Sequence, residues 1–217
     1  MIVACVLKSG GEFKPDHVKM LKQSVFKHNP ELGFICLSDV KIDGVECINL
    51  LHDWPKWWGK LELFRVFTDK EVLYLDLDTV VIGDIKELFR TKITMLKDVN
   101  NIDKFGSGVM SWHGDYSYLY NVFKANSDRF ISEYVSRKNW GDQGFIMNHL
   151  NNSPDCFEFG DLHSYKKHCI HGVPKGTKLV YFHGNPRPWD VKLCQKDHQH
   201  HAPSQDAENT QLNKEDA

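Results

Sequence analysis

Long hydrophobic runs are absent from this 217-residue sequence. No stretch approaches the ~18 apolar residues that a membrane-spanning helix needs, so no transmembrane segment is expected. The apolar start, which ends at Lys8, is too short for the hydrophobic region of a signal peptide. The six cysteines include no Cys-x-x-Cys pair, which excludes a zinc ribbon and a thioredoxin motif. A cytoplasmic protein with reduced cysteines is therefore expected.

A strong charge of either sign is also absent. Lys and Arg total 27 against 29 Asp and Glu, which gives a formal net charge of −2. This balance does not indicate binding to nucleic acid or to a membrane surface. The length favours a single domain over residues 1–194. Polar residues dominate residues 195–217, which predicts a disordered tail whose histidines, His198, His200 and His201, are mobile surface residues rather than metal ligands.

Hydrophobic spacing predicts strands that alternate with helices. In the first part of the chain the predicted strands are Ile2–Leu7, Gly33–Leu37 and Val45–Leu50, and the predicted helices are Pro15–His28 and Trp58–Thr68. Beyond residue 90 the predicted strands are Met95–Leu96, Val109–Trp112 and Lys178–Phe182, and the predicted helices are Tyr116–Ala125, Ser127–Arg137 and Asp142–Leu150. This alternation predicts an α/β fold with a mostly parallel sheet, in which ligands bind beyond the carboxyl ends of the strands.

Residues 72–82 form an apolar run that Asp76, Asp78 and Thr79 interrupt. The run predicts one strand buried on both faces, where an unpaired carboxylate is strongly unfavourable. Side chains alternate along a strand, so Asp76 and Asp78 are expected on one face and Leu77 on the other. Two neighbouring carboxylates repel unless a cation or a shared proton holds them. The pair therefore predicts a divalent metal with a phosphorylated substrate, and the alternative is a strand end at which both carboxylates reach water.

Two other families share part of this pattern. In haloacid-dehalogenase phosphatases an Asp-x-Asp like Asp76 and Asp78 supplies a nucleophile and a general acid. That motif usually follows the first strand, whereas three predicted strands precede it here, and residues 141–143 lack the following Asp of the later motif. An EF-hand is excluded because Val80 and Val81 occupy positions that require an oxygen ligand and a glycine.

Several further motifs follow one another in a fixed order. They are Trp57-Trp58-Gly59-Lys60, Tyr74-Leu-Asp76-Leu-Asp78, Gly106-Ser107-Gly108, Trp140-Gly141-Asp142-Gln143-Gly144, and Phe182-His183-Gly184-Asn-Pro-Arg187-Pro188-Trp189. Together, over residues 2–192, they resemble glycosyltransferase family 8 and its bacterial and phage relatives, such as glycogenin and the lipo-oligosaccharide galactosyltransferases. The resemblance implies a GT-A-type fold, with a nucleotide-binding half at 1–90 and an acceptor and active-site half at 91–194.

The resemblance also implies a metal centre. In the family, both aspartates of the Asp-x-Asp hold a Mn²⁺ that bridges the diphosphate of a nucleotide sugar, which assigns Asp76 and Asp78 as ligands. The family's third ligand is a histidine; Tyr181 stands in its place here, so the candidate is His183. An imidazole ligand favours Mn²⁺ over the alternative, Mg²⁺, which prefers oxygen ligands. The other interpretation of His183 is a residue that only caps the strand end before Gly184.

The donor-binding residues follow from the same resemblance. Arg187 takes the place of the family's diphosphate-binding lysine, Gly184 lets the backbone come close, and Lys60 reaches the donor sugar or its phosphate. The other expected donor contacts are Leu7 and Lys8 at the nucleoside, together with Leu77. Arg187 and Lys60 have the alternative of being solvated surface charges. Tryptophans are expected either to stack on base or sugar or to pack in the core; these are Trp54, Trp57 and Trp58.

Asp142 and Gln143 correspond to the family's pair beside the reacting sugar carbon. Family 8 enzymes retain the anomeric configuration, and a glutamine is a poor nucleophile. The resemblance therefore favours same-face substitution, in which the leaving phosphate takes the acceptor proton and Asp142 holds hydroxyl groups. The alternative for Asp142 is a helix N-cap.

The resulting hypothesis is a metal-dependent retaining glycosyltransferase that uses a nucleotide sugar, with a UDP-sugar as the expected donor. Gly106 replaces an asparagine of the family, so the transferred sugar is not specified. The acceptor is a glycan, a lipid-linked sugar, a protein or a hydroxylated base in DNA; a DNA acceptor requires a cationic groove, for which the candidates are Arg137, Lys138, Lys166, Lys167, Lys175 and Lys178. The alternatives are a haloacid-dehalogenase-like phosphohydrolase and a non-catalytic nucleotide-sugar-binding protein.

Overall fold

The computed structural model describes residues 1–98, 104–136, 140–157 and 160–194. The strands are β1 Ile2–Leu7, β2 Gly33–Ser38, β3 Glu46–Asn49, β4 Val72–Leu75, β5 Thr79–Val81, β6 Thr94–Lys97, β7 Phe105–Trp112, β8 Asp155–Cys156, β9 Leu162–Ser164 and β10 Leu179–Tyr181. The α-helices are α1 Pro15–His28, α2 Leu63–Val66, α3 Ser117–Ala125, α4 Ser127–Glu133 and α5 Gly141–His149. In these ranges no helix has both the length and the hydrophobicity that crossing a bilayer requires.

The main sheet has seven strands in the order β3-β2-β1-β4-β7-β6-β8. The first four strands run parallel to one another. Strand β7 is antiparallel to both β4 and β6, and β8 pairs with β6 in parallel. The sheet is mixed and mostly parallel, with helices packed against it, so the predicted α/β class is confirmed.

The alternation of β1 separates two hydrophobic cores. Val3 and Cys5 face a core that contains the apolar stripe of α1. Ala4 faces the opposite core, which contains aromatic residues of the segment after β3 and of α3 to α5. Burial on both faces explains why β1 and β4 are almost wholly apolar.

The aspartate-rich run is two strands rather than one. Strand β4 ends at Leu75 in the main sheet, and β5 begins at Thr79 in a second sheet of order β5-β10-β9. The prediction of one continuous strand over 72–82 was wrong because the apolar pattern continues across a change of sheet. Asp76, Leu77 and Asp78 form the connection, so strand alternation does not set their directions.

Other differences concern short or irregular elements. The predicted helix Trp58–Thr68 is a 3₁₀ segment, Lys56–Glu62, followed by the single α-turn of α2. Strands β8 and β9 were not predicted because two or three residues carry too little periodicity. Arg137, Lys138 and the whole of 195–217, with its three histidines, lie outside the described residues.

A close contact fixes the start of α5. Gly141 has a φ of +56°, and a Cβ at this position would lie 2.4 Å from Nε1 of Trp57. The Gly141 N–H donates to the carbonyl of Tyr134 at 2.9 Å, which closes the turn before the helix. Only glycine accommodates both the left-handed backbone and the indole.

We expect Gly141→Ala to destabilise the protein more than Gly44→Ala. Both residues have positive φ, but an added Cβ at Gly44 meets nothing within 4 Å. Gly44→Ala should cost about 1–2 kcal/mol from the backbone alone, and Gly141→Ala should add roughly 1–3 kcal/mol of overpacking. Urea denaturation of the two variants measures the difference. Equal losses would show that Trp57 moves aside freely.

Candidate active site

One cavity of about 980 Å³ lies where β1 and β4 end at their carboxyl termini. Nine of the residues predicted for the site line it, namely Lys8, Lys60, Asp76, Leu77, Asp78, Asp142, Gln143, His183 and Arg187. The position agrees with the rule that open α/β sheets bind ligands beyond the carboxyl ends of their strands. The structure therefore brings together side chains that are more than 100 residues apart in the sequence.

Lys60 is the centre of a buried charge network. Its Nζ lies 3.1 Å from Asp76 Oδ1, 3.2 Å from Asp142 Oδ2 and 3.3 Å from Ser107 Oγ. Burial acts to lower the pKa of Lys60, but the carboxylates of Asp142 and Asp76 outweigh it and raise that pKa. Lys60 is therefore a buried cation held by two carboxylates, and the alternative of a solvated surface charge is wrong.

Two residues that the sequence did not assign complete this network. The Ser107 hydroxyl donates to Asp142 Oδ2 at 2.6 Å, and the Tyr74 hydroxyl donates to Asp76 Oδ1. Burial, together with the Asp76 carboxylate, raises the pKa of Tyr74, so its phenol stays a donor. Ser107 belongs to the Gly-Ser-Gly motif, and a Cβ on the neighbouring Gly108 would lie 3.2 Å from Asp76 Oδ2. The small residues of that motif make room for the carboxylate.

Arg187 connects Asp78 to Glu12. Its Nη1 donates to Asp78 Oδ2, and its Nε and Nη2 donate to the two Glu12 oxygens at 2.7 and 2.6 Å. The guanidinium carbon also lies 5.2 Å from the ring centroid of Phe13. Sequence reasoning missed Glu12, because nothing near it in the chain indicates its partner. Arg187 is thus a fixed group of the site and not a free surface charge.

The two aspartates of the connection carry more negative charge than their partners offset. Burial raises the pKa of Asp76 even though Lys60 opposes the shift. Burial and the Asp76 carboxylate raise the pKa of Asp78 to about 7, against the opposing effect of Arg187. Positive charge added beside this pair stabilises the ionised form of both groups.

His183 lines the cavity but is engaged elsewhere. Its Nε2 lies 2.9 Å from Ser164 Oγ, and its ring centroid is 6.4 Å from that of Tyr181. Burial, reinforced by Lys166, lowers the pKa of His183, which favours the neutral imidazole. Within the described ranges no three His, Cys, Asp or Glu side chains are grouped closely enough to hold a metal ion. The three expected ligands therefore share a cavity without forming a coordination shell.

The remaining expected donor contacts divide between pocket and core. Leu7 is buried in the core. Its two neighbours line the cavity instead, Val6 within β1 and Lys8 directly after it, because neighbouring side chains of an extended chain point in opposite directions. The Lys8 ammonium forms ion pairs with Asp39 and Asp53. Gly184 does not line the cavity; its φ is +67°, and a Cβ there would lie 3.4 Å from the Lys166 ammonium.

The structure also separates the three tryptophans between residues 54 and 58. Trp54 and Trp58 are buried in the second core. Trp57 lines the cavity and packs beside Trp140, with 5.7 Å between ring centroids. Trp54 and Trp58 are thus core residues, whereas Trp57 is partly buried against the same core and also lines the cavity.

We expect Asp78→Asn to stabilise the ligand-free protein in alkaline solution. A carboxyl whose folded pKa is raised to about 7 contributes stability below its unfolded pKa, and this is lost as the pH rises through about 7. The neutral amide of the variant does not ionise, so the variant avoids the loss of stability that the wild type shows as the pH rises. Arg187 keeps Glu12 as a partner. The gain should be on the order of 1–2 kcal/mol at about pH 8 and should vanish near about pH 4. Urea denaturation across this range measures it, and a loss of stability at pH 8 would contradict the charge excess.

Sequence comparison finds one distant relative. No family model matches the sequence. Inositol phosphorylceramide glucuronosyltransferase 1 from Arabidopsis thaliana is 29% identical over 131 residues, which are 55% of this chain and 23% of that protein. The chain therefore spans less than a quarter of the length of this relative.

Solved structures share the fold at low sequence identity. The galactosyltransferase LgtC, in complex with donor and acceptor sugar analogues, superposes with a TM-score of 0.66 at 13% identity, covering 87% of this chain and 89% of that one. The apo-form glycosyltransferase GlyE of Streptococcus pneumoniae TIGR4 gives 0.65 at 13% identity, covering 88% of this chain and 56% of that one. These likenesses confirm the expected GT-A-type fold and the resemblance to glycosyltransferases.

Proposed function

We propose that this protein is a glycosyltransferase that moves a sugar from a UDP-sugar to a hydroxyl acceptor, with residues 1–194 as its one domain. The observation that carries the proposal is the single cavity that joins the aspartate pair to Lys60 and Arg187 at the carboxyl ends of the sheet. The same fold holds donor and acceptor sugar analogues in LgtC. A cavity of about 980 Å³ is at the upper end of the range for small-molecule sites and is large enough for a nucleotide sugar.

Arg187 is the proposed contact of the departing diphosphate. When a nucleoside diphosphate leaves, negative charge develops on its phosphate oxygens, and fixed positive groups lower the barrier. Arg187 is already held at the cavity wall by Glu12, so little ordering of its side chain is needed. Lys60 is paired with two carboxylates, which makes it a group that positions the donor sugar rather than a free counter-charge.

The carboxylate oxygens of the aspartate pair are suitable ligands for a divalent cation. Two carboxylates with raised pKa values share one cavity, and hard oxygen ligands suit Mn²⁺ or Mg²⁺. We propose that Asp76 and Asp78 hold Mn²⁺, with His183 as a third ligand once it leaves Ser164. A bound divalent cation supplies charge neutralisation on the diphosphate. Arg187 must then release Asp78 and keep Glu12, which frees part of its guanidinium for phosphate.

Asp142 and Gln143 are the proposed residues beside the reacting carbon. Asp142 Oδ2 accepts hydrogen bonds from Ser107 and Lys60, which lowers its reactivity as a nucleophile. Gln143 carries a neutral amide. Retention by same-face substitution is consistent with both: the bond from the anomeric carbon to the phosphate oxygen breaks, the acceptor oxygen bonds to that carbon, and its proton passes to the phosphate. The two residues hold hydroxyl groups during this step.

Two competing proposals have less support. The aspartate pair of a haloacid-dehalogenase phosphatase usually follows the first strand, whereas Asp76 follows β4, and the fold superposes on glycosyltransferases. Lys178, a candidate for a DNA-binding groove, is paired with Glu87 and Asp161. This leaves one fewer free cation for a DNA-binding groove, and we propose a carbohydrate acceptor, free or lipid-linked, ahead of DNA.

We expect UDP-glucose or UDP-galactose to raise the melting temperature only when Mn²⁺ is present. A ligand at 100 times its Kd stabilises the folded state by about 2.7 kcal/mol. Asp76→Asn should abolish the metal-dependent shift, whereas Asp84→Asn, an exposed carboxylate outside the cavity, should preserve it. His183→Ala should raise the Mn²⁺ concentration at half-maximal shift by more than about tenfold, and Tyr181→Phe should leave it unchanged. An equal shift in Asp76→Asn would remove the metal from the proposal.

Product analysis distinguishes the transferase from the phosphohydrolase. A transferase releases intact UDP from its donor, whereas a haloacid-dehalogenase-like enzyme releases inorganic phosphate from p-nitrophenyl phosphate through an aspartyl-phosphate at Asp76. We expect UDP release and no phosphate release above the level of Asp76→Asn. The reverse pattern would favour the phosphohydrolase. Binding of UDP-sugar without turnover would identify a non-catalytic binding protein.

A further inference from the structure

We propose that Trp57 and Trp140 form an aromatic platform that binds a pyranose ring of a carbohydrate acceptor. The proposal deepens the transferase function above and rests on it. Both indoles line the cavity, with ring centroids 5.7 Å apart and planes inclined by 40°. Trp140 is 47% exposed, an unusual state for so large a ring. Trp57 is only partly buried and also lines the cavity, so an exposed indole and a half-buried one meet beside Asp142 and Gln143, where a ligand can cover them.

The backbone holds this platform in place. Trp140 forms a β-bridge with Val135, and the next residue, Gly141, has its N–H bonded to Tyr134. The missing side chain of Gly141 admits the Trp57 indole, and Lys56, in the left-handed region at φ 55°, lies with its ammonium 5.4 Å from the Trp57 ring centroid. The backbone that carries the two rings is therefore held before any ligand arrives, and an ordered backbone reduces the entropy lost on binding.

The neighbouring polar groups match a sugar. A pyranose has an apolar C–H face and a rim of hydroxyl groups, so it needs an aromatic surface and hydrogen-bonding groups at its edge. Asp142 and Gln143 follow the platform in the chain and line the same cavity. In the part of the chain that the structure describes, both partners of Asp142 engage Oδ2, which leaves Oδ1 for a hydroxyl.

The charge around the platform disfavours a nucleic acid. The carboxylates of Asp53 and Asp142 line the cavity. They are paired with Lys8 and Lys60 respectively, so neither lysine is a free counter-charge for a phosphate backbone. Lys56 is already placed over the Trp57 ring. Stacking of a flipped base would require phosphate contacts that this arrangement does not offer.

The platform also lies on the route to the reacting carbon. Asp142 is two residues after Trp140, and through Lys60 it is connected to Asp76 of the donor site by contacts of 3.2 and 3.1 Å. A sugar stacked on Trp140 with a hydroxyl bound by Asp142 is therefore adjacent to the donor. The platform binds the acceptor sugar and is separate from the groups assigned to the diphosphate.

Saturation-transfer NMR tests the platform directly. The probes are lactose, maltose, cellobiose and N,N′-diacetylchitobiose, each added to the full chain. We expect at least one to bind the wild type, and Trp140→Ala to weaken that binding about tenfold, which corresponds to roughly 1.4 kcal/mol. Trp140→Phe should retain part of the affinity because it keeps a ring. Val135→Ala, across the β-bridge and outside the cavity, is the matched control and should bind as the wild type does.

Turnover gives the second readout. With a UDP-sugar donor and the bound disaccharide, Trp140→Ala should shift the partition from transfer to hydrolysis by about tenfold. Absence of binding by all four disaccharides, or binding that Trp140→Ala leaves intact, would overturn the platform. Trp140-dependent binding of a single-stranded oligonucleotide without disaccharide binding would overturn the ligand class. Trp140-dependent disaccharide binding with no UDP-sugar binding would support the platform and refute the transferase.

Discussion

The buried ammonium of Lys60 is the interaction on which the rest of the site depends. It lies between Asp76 from the end of β4 and Asp142 from α5, with Ser107 of β7 in reach. One cation thus ties together three elements that are distant in sequence. Loss of one partner of such a buried pair typically costs about 3–5 kcal/mol, because a charge remains without compensation. The geometry of the Asp76 and Asp142 carboxylates is therefore inseparable from the stability of the sheet end.

A second charge cluster surrounds Asp78. Arg187 holds it from one side and is itself held by Glu12, so a cation is shared between two carboxylates. The cluster at Lys60 is closed and buried, whereas Glu12 is half-exposed and can change partners at low cost. The Lys60 cluster is thus the more rigid part of the site, and the proposed ligand exchange is easier at the cluster of Arg187, Asp78 and Glu12.

The sequence predicted features that depend on neighbouring residues, but it did not predict contacts between residues that are far apart in the chain. Strand β1 and helix α1 were predicted to the residue, because local periodicity and Pro15 determine them. The cavity residues were found through motifs, since separate blocks of sequence converge at one sheet edge. Glu12 was missed, and Ser107 was found only as part of a motif without an assigned role, because their importance arises from partners far along the chain. No local pattern distinguishes Trp57, at the cavity, from the buried Trp58.

The break between β4 and β5 attaches the two aspartates to different sheets. Asp76 is fastened to the large sheet, since its N–H donates to Gly108 of β7 at 2.9 Å. Asp78 is fastened to the small sheet, since its carbonyl accepts from Phe182 at 3.0 Å. The gap between the two carboxylates is thus a measure of how the sheets sit against each other. A shear between the sheets changes that gap, so packing between them would adjust how well the pair fits the proposed cation, without any substitution in the pair itself.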